Sequence, residues 1–505
     1  MRYPRILIFM IALVTIAVLL YFLINNRAFL AGHTENTTDS AWAFGSENAL
    51  PFKNMGFENW GWSNGPYCEG TYSLCIYAGA KENVLEKGII VGEAVITYID
   101  GHVEVVCKMF DDFFTLKKAH LWIGETELPL TGRGKKAKPT NTLRQLRYDL
   151  NEEYQFDGDI YVALHAEVKI SPLATEYGAD VNPTGNPIGG GDGYTDIISR
   201  DNHSVKYIVN SRDTLVSSLK SAQMGDVIYV EEDANIDMTG ACSTNISDGV
   251  TLASNRGEDG SPGGRIYQTT GGTQLFRVYG ENVRITGLRI EGPHKDVDVP
   301  DPTNVMLFTQ SLNLEVDNCE IFGWSDAAIG IAGTSGSDTK TGGYIHHNYI
   351  HHNQAAGLGY GVVLSNGGVA LIEANYFDYC RHAISGTGEA RVGYEARYNI
   401  CGLNWISTSP HQFDMHGITT GSGAIAGGTI KVYHNTFMGM TSEMPTCIAI
   451  RGIPCDGAYI SNNWFYFTNS APVWQRFTYG NVYMTNNLIG LDKQLSVKGP
   501  ILIYE

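Results

Sequence analysis

Six asparagines, each followed two places later by a large or apolar residue, punctuate the last third of this chain: Asn348 (NYI), Asn375 (NYF), Asn399 (NIC), Asn435 (NTF), Asn463 (NWF) and Asn487 (NLI). The intervals between them are 27, 24, 36, 28 and 24 residues. Coils of fixed circumference that carry loops of variable length produce such a series, and an ordinary sandwich does not. A side-chain amide buried at a bend needs hydrogen-bond partners, and the amide of the next coil supplies them. The irregular repeat runs from about Val227 to Ile489, each unit holding one strand, a turn and a second strand.

Before the first unit stands SRDTLVSSLKSAQMGD, in which Leu215, Leu219 and Ala222 fall on one helical face. Ser211 or Asp213 can cap its start and Gly225 ends it. A solenoid needs such a lid over its first coil, and VIYV, Val227 to Val230, supplies the strand beneath. Together these features resemble the pectate-lyase-like superfamily of right-handed parallel β-helices, over about Val227 to Ile489. The resemblance implies that fold, in a protein of surface or exported type that handles acidic polysaccharides.

The N-terminal half sets the compartment. Arg2 and Arg5 precede a run without charge from Ile6 to Ile24, long enough to cross a bilayer as a slightly tilted helix. Basic residues before an apolar run also describe a cleaved signal peptide. Either reading holds the N-terminus inside and leaves about 475 residues outside the cytoplasm. The expectation is a single-pass membrane segment over residues 1–30, a polar stalk over 31–56 around TENTTDS, and a small β-sandwich over 57–170. In that module AVITYI and VEVVCKM are joined by Asp100 and Gly101, a dipeptide suited to a two-residue hairpin, and HLWIG and IYVALHAEV continue the alternation. Its WGWSNGP and YAGA segments resemble a module found beside β-helices in surface proteins. A Gly/Pro-rich linker over 171–201 then leads to the parallel β-helix over 202–505. The fold class expected is all-β, a right-handed parallel β-helix preceded by a β-sandwich and an N-terminal membrane helix.

A net charge of -18 argues against nucleic acid as a partner. The nine cysteines form no CxxC pair, so a zinc ribbon or thioredoxin-like site is not expected; Cys68 and Cys75 are the nearest pair for a disulfide, and buried free thiols are the alternative.

In a solenoid, outward residues at one place in successive coils stack about 4.8 Å apart, so a site is read down columns. Matching Phe413 and Met415 of FDMHG with Ile448 and Ile450 of IAIRG places His416 beside Arg451, with Asp414 on the same outward face. VWQRF continues the column with Arg476 and puts Trp474 beneath Asp414; Arg381, His382 and Ser385 lie one coil earlier, and His411, Tyr394 and Arg397 border the region. β-Elimination from a uronic acid needs a cation on the sugar carboxylate and a base for the C5 proton. Arg451, Arg476 and His416 fit those roles, and Asp414 either orients His416 or binds a bridging calcium ion. Hydrolysis needs two carboxylates, and only Asp414 stands out on this face; Glu373 and Glu395 occupy another strand of the coil. Arg451 resembles in position and type the groove arginine of β-helix lyases, without the rest of a lyase motif or an Asp-rich calcium cluster.

Two readings therefore stand side by side: a uronate lyase or epimerase displayed on the cell surface, and a non-catalytic envelope or adhesion protein that binds glycans. An accessory factor for metal insertion is a third. In YIHHNYIHHN, strand alternation should send His346 and His347 to opposite faces, which makes a strand and turn the expectation rather than a metal site. DVDVPDPTN, Asp296 to Asn304, reads as a solvated loop without the spacing of a calcium loop.

Overall fold

The computed structural model describes residues 37–490 apart from 46–47, 86–87, 110–112, 128–140, 144–146, 150–155, 242–243, 271–273, 296–304, 311, 334–340, 405–410, 421–422, 440–445, 467–471 and 477–480. The 1–30 membrane segment and the 296–304 loop lie outside the described residues, among which no helix is long and apolar enough to cross a membrane. The chain divides into two compact units at Thr175.

The first unit is antiparallel. Its longest pairing joins Phe114–Gly124 to Ile160–Ile170, and the second of these strands also pairs with Thr37–Phe44. The stalk expected over 31–56 is thus corrected for its described part, because Thr37–Phe44 is a strand with buried Ala41, Trp42 and Ala43. Asp100 and Gly101 make the hairpin turn foreseen for them, at φ 51° and 79° between paired Ile99 and His102. All eight described cysteines are free thiols, Cys68 and Cys75 among them.

The second unit is a solenoid of three parallel sheets of eleven, ten and nine strands, called here faces one, two and three. Each coil contributes in turn a strand to face one, a strand to face two and a strand to face three, as in Gly368–Glu373, Tyr376–Asp378 and His382–Gly386. Isoleucine, valine, leucine and phenylalanine fill the interior from Val209 to Phe465. The helix Arg212–Ser221 closes the first coil, with Ser211 and Thr214 forming a reciprocal cap and Leu215 and Leu219 buried.

The asparagines occupy the corner between faces one and two. Each backbone N–H and side-chain amide donates to the amide oxygen of the next, Asn348 to Asn375 (3.0 and 3.0 Å), Asn375 to Asn399 (2.9 and 3.0 Å), and so on to Asn487. Each amide also bonds a carbonyl of the previous coil at 2.8 Å, Val316 for Asn348 and Ile345 for Asn375. The residue before each asparagine turns the corner at positive φ, 51° at His347 and 52° at Ala374 and His434.

The linker expected over 171–201 is also corrected: from Glu176 onward it is a strap laid along the solenoid. Gly178 N donates to Asn462 O (2.9 Å), Gly189 N to Ala374 O (2.9 Å) and Gly191 N to Asn318 Oδ1 (2.8 Å), and the Tyr194 hydroxyl donates to Asp317 (2.8 Å). The chain thus enters at the last coils and climbs back to the first. Its glycines are what permit the close approach: a Cβ on Gly190, at φ +66°, would stand 2.3 Å from His347 O.

Candidate functional site

Face three carries an outward column in which Val363, Ser385, Asp414, Ala449 and Trp474 are consecutive register partners. Phe413 pairs with Ile448 and Met415 with Ile450, all four buried in the core. Strand alternation therefore sends Asp414 outward, and the next residues, His416 and Arg451, become neighbours where the strands end. A hairpin of Ile418–Thr420 and Gly423–Ile425 leaves the coil immediately after His416.

Although it points away from the core, Asp414 is 0% exposed. Arg451 holds it with two bonds, Nε to Oδ1 at 2.8 Å and Nη2 to Oδ2 at 2.5 Å. His416 Nε2 lies 2.8 Å from Oδ2, an ion-pair distance without full hydrogen-bond alignment, and His382 Nε2 is 3.4 Å from the same oxygen. Burial pushes the Asp414 carboxyl up, but the imidazoles of His411, His416 and His382 outweigh it, so the group stays well below the usual carboxylate range. His382 is fully buried, and burial lowers its pKa to about 3. Its Nδ1 donates to the His411 carbonyl at 2.8 Å, and its ring stacks between those of Tyr360 and His411, with centroids at 5.7 and 5.0 Å. The cluster opens to solvent through His416 and Arg451, whose side chains are 36% and 31% exposed.

Of the residues singled out in the sequence, Asp414, His416, Arg451 and His411 converge. Arg381 sits at the rim, its guanidinium 5.7 Å over the Tyr360 ring. Trp474, 44% exposed, lies two strands beyond Asp414 in its column, and Arg476 follows Arg451, its N–H donating to Ile450 O. Tyr394 and Arg397 are corrections. Tyr394 follows Gly393 on face one and points inward, packing edge-on to Phe413 at 6.4 Å. Arg397 stands on the outer side of face one, bound to Glu373 (2.5 Å), Glu395 (3.0 Å) and the Tyr433 hydroxyl (3.1 Å). Tyr360 was missed by the sequence reading; the only signal was its register with His382, hidden by the loops between them.

The donors suit calcium poorly. One carboxylate and two imidazoles gather at His382, Asp414 and His416, whereas calcium takes six to eight oxygens, and Arg451 already neutralises the carboxylate. A second group, Glu315, Asp317 and His346, is engaged by protein: Arg284 and Tyr194 hold Asp317, and His346 bonds Glu315 and His347. There the structure overturns the expected parity. His347 turns the corner at φ 51°, which brings its Nδ1 to 2.8 Å from that of His346.

Comparison with known proteins bears on the fold. No curated protein matches the sequence. Residues 207–409 match the family described as "Right handed beta helix region". An alginate lyase from Paenibacillus sp. str. FPU-7 is 14% identical with a TM-score of 0.41, over 56% of this chain and 94% of its own. The catalytic unit of a thermostable GH87 α-1,3-glucanase from Streptomyces thermodiastaticus strain HF3-3 is 13% identical with a TM-score of 0.25, over 78% and 90%. The PL6 family alginate lyase AlyGC, as a mutant, is 13% identical with a TM-score of 0.24, over 58% and 52%. The matched region, the three parallel sheets and the asparagine corner together make the second unit of this chain a right-handed parallel β-helix.

Proposed function

We propose that this is a cell-surface β-helix protein that acts on acidic polysaccharide by moving the C5 proton of a uronate residue, as a lyase or an epimerase. The observation that carries the reading is the 2.8 Å approach of His416 to buried Asp414 beside Arg451. With Nε2 turned to the carboxylate, His416 keeps Nδ1 for a substrate, and Asp414 both fixes that orientation and stabilises the imidazolium formed when the proton arrives. Arg451 spends Nε and Nη2 on Asp414 and His411, which leaves Nη1, with Arg476 further along the column, to meet the sugar carboxylate. Removal of the C5 proton leaves an electron pair beside that carboxylate. Expelling the 4-linked oxygen gives an unsaturated sugar, and reprotonation from the opposite face gives the epimer.

Paired-carboxylate hydrolysis is less well supported, because Glu373 and Glu395 are tied to Arg397 on face one. A non-catalytic spacer would call for a flat column, whereas four polar side chains, His382, His411, His416 and Arg451, converge on Asp414. Display on the cell surface rests on the apolar run from Ile6 to Ile24. The test is incubation of the protein with a panel of polyuronates, reading unsaturated-product absorbance for elimination and proton NMR in deuterated water for exchange at C5. Neither signal on any substrate would overturn the proposal.

A further inference from the structure

We infer that Arg381, held over the ring of Tyr360, is a substrate-binding residue of the proposed site: it takes the carboxylate of a second uronate, which flanks the reacting one on the side of the first coils. The site then prefers a run of uronates to a single uronate set among neutral sugars. The inference deepens the proposed function and rests on face three as the face that binds the polysaccharide.

Charge balance carries the argument. Arg265, Arg284, Arg289, Arg397 and Arg451 each rest on a carboxylate oxygen at 2.5–2.7 Å. Arg381 does not. Among the described residues it has no carboxylate partner, and the acceptor its side chain meets is the Tyr360 hydroxyl, 3.3 Å from Nη1. Its Nε is buried without an acceptor. Asp326, whose carbonyl receives the Gly359 and Tyr360 N–H groups, makes no ion pair with it. The backbone at Arg381 is nonetheless fixed, its N–H donating to Gly359 O at 2.9 Å, and the guanidinium lies 5.7 Å from the centre of the Tyr360 ring. A cation held by one neutral acceptor and a ring face keeps Nη2 for a ligand, and the planar fork suits a carboxylate.

The floor beside Arg381 suits a sugar ring. The column through Asp414 runs back toward the first coils as Ser385, Val363, Gly330 and Phe308. Val363 and Phe308 are half-buried and pack with Tyr360, Val305 and Ala327 on the outside of the sheet. Apolar surface with a few placed polar groups is what a bound sugar needs. Tyr360, His382 and His411 stack in turn, with centroids at 5.7 and 5.0 Å; Arg381 bonds the first ring of that stack and Arg451 the last. The two cations thus serve different ends of the stack, and each meets the carboxylate of a different sugar.

The test measures binding to the full chain by calorimetry, alongside initial rates, in wild type, Arg381→Gln and Arg381→Lys. The probes are hexamers of galacturonate, mannuronate and guluronate, each beside its carboxyl-reduced neutral counterpart. Loss of one charge-assisted pair should raise the Kd of the hexauronate that wild type binds by about 10- to 100-fold in Arg381→Gln, with KM raised and kcat little changed. The neutral hexamer should not distinguish the two proteins. Arg381→Lys, which keeps the charge without the fork, should fall between them, and it carries the test if Arg381→Gln does not fold. Equal hexauronate Kd values in wild type and Arg381→Gln, the same loss for the neutral hexamer, or no binding of any hexauronate to wild type would overturn the inference. Binding that depends on Arg381 without turnover would refute the proposed reaction and keep the inference; turnover with an unchanged KM in Arg381→Gln would do the reverse.

Discussion

Replacing Asn399 by alanine tests the asparagine corner in the middle of the stack. Its side-chain oxygen accepts the Asn375 N–H at 2.9 Å and the Asn375 amide at 3.0 Å, while its own amide donates to Ile372 O at 2.8 Å and Asn435 Oδ1 at 2.9 Å. Alanine removes all four. The Asn375 N–H is then stranded in a buried corner, at a cost of about 1–3 kcal/mol, and the weakened acceptors on Ile372 and Asn435 bring the loss to about 2–5 kcal/mol. Asn487 makes equivalent bonds to Asn463 and Ile460 in the last described coil, but it is only half-buried, so water can replace them. Asn487→Ala should therefore cost about 1 kcal/mol or less. A solenoid need not unfold in one step, so guanidinium denaturation should be paired with hydrogen exchange on peptides spanning residues 368–378. Equal losses for the two variants, or a loss below about 1 kcal/mol for Asn399→Ala, would refute the reasoning.

His416→Ala should lower turnover by about 10²- to 10⁴-fold with an unchanged circular dichroism spectrum, and a smaller fall in initial-rate assays would remove His416 as the proton carrier. Burial holds His347 and His382 to about 3, below the unfolded value of about 6.5. The unfolded chain therefore binds protons first, and stability should be complete above pH 6.5 and decline as pH falls toward 3; denaturation midpoints that stay level from pH 7 to pH 4 would contradict this. Asp326 has the opposite sign. Burial raises it to about 6, above the unfolded value of about 3.9, so its contribution is lost as pH rises through 6, and Asp326→Asn should stabilise the protein at pH 8 by about 1–3 kcal/mol in chemical denaturation. Gly190→Ala should loosen the strap, seen as faster exchange of the Gly189 and Gly191 amides, because its Cβ meets His347 O and Asn318 Oδ1 at 2.3 and 2.5 Å; unchanged protection would show that the close approach is not needed.

What the sequence made legible was whatever repeats with the coil. The ladder could be read because a buried amide has few ways to be satisfied, and the pairing of Phe413 with Ile448 followed from inward apolar residues two apart. Non-periodic features stayed hidden. The strap from Glu176 to Asp196 carries no alternation, since its bonds go to corners of the solenoid rather than to a sheet, and its Gly and Pro content reads equally as a free linker. Tyr394 and Arg397 lie close in number to the site, but one strand faces the core at Tyr394 and belongs to face one, where parity at 393–397 is set by inward Ala396 packing with Ile372 and Val432. The meeting of His346 and His347 needed a positive-φ corner, which alternation along a strand does not foresee. The role of Arg451 was half visible: its place beside His416 follows from register, whereas its two hydrogen bonds to Asp414 depend on side-chain reach.

The most direct measurement is a crystal structure of the His416→Ala variant with a uronate oligosaccharide bound. The account predicts a sugar carboxylate within hydrogen-bonding distance of Arg451 or Arg476, C5 facing the vacated position of the imidazole, and Asp414 still held by Arg451. An oligosaccharide bound on another face, or Asp414 and Arg451 side chains on separate faces of the solenoid, would contradict it.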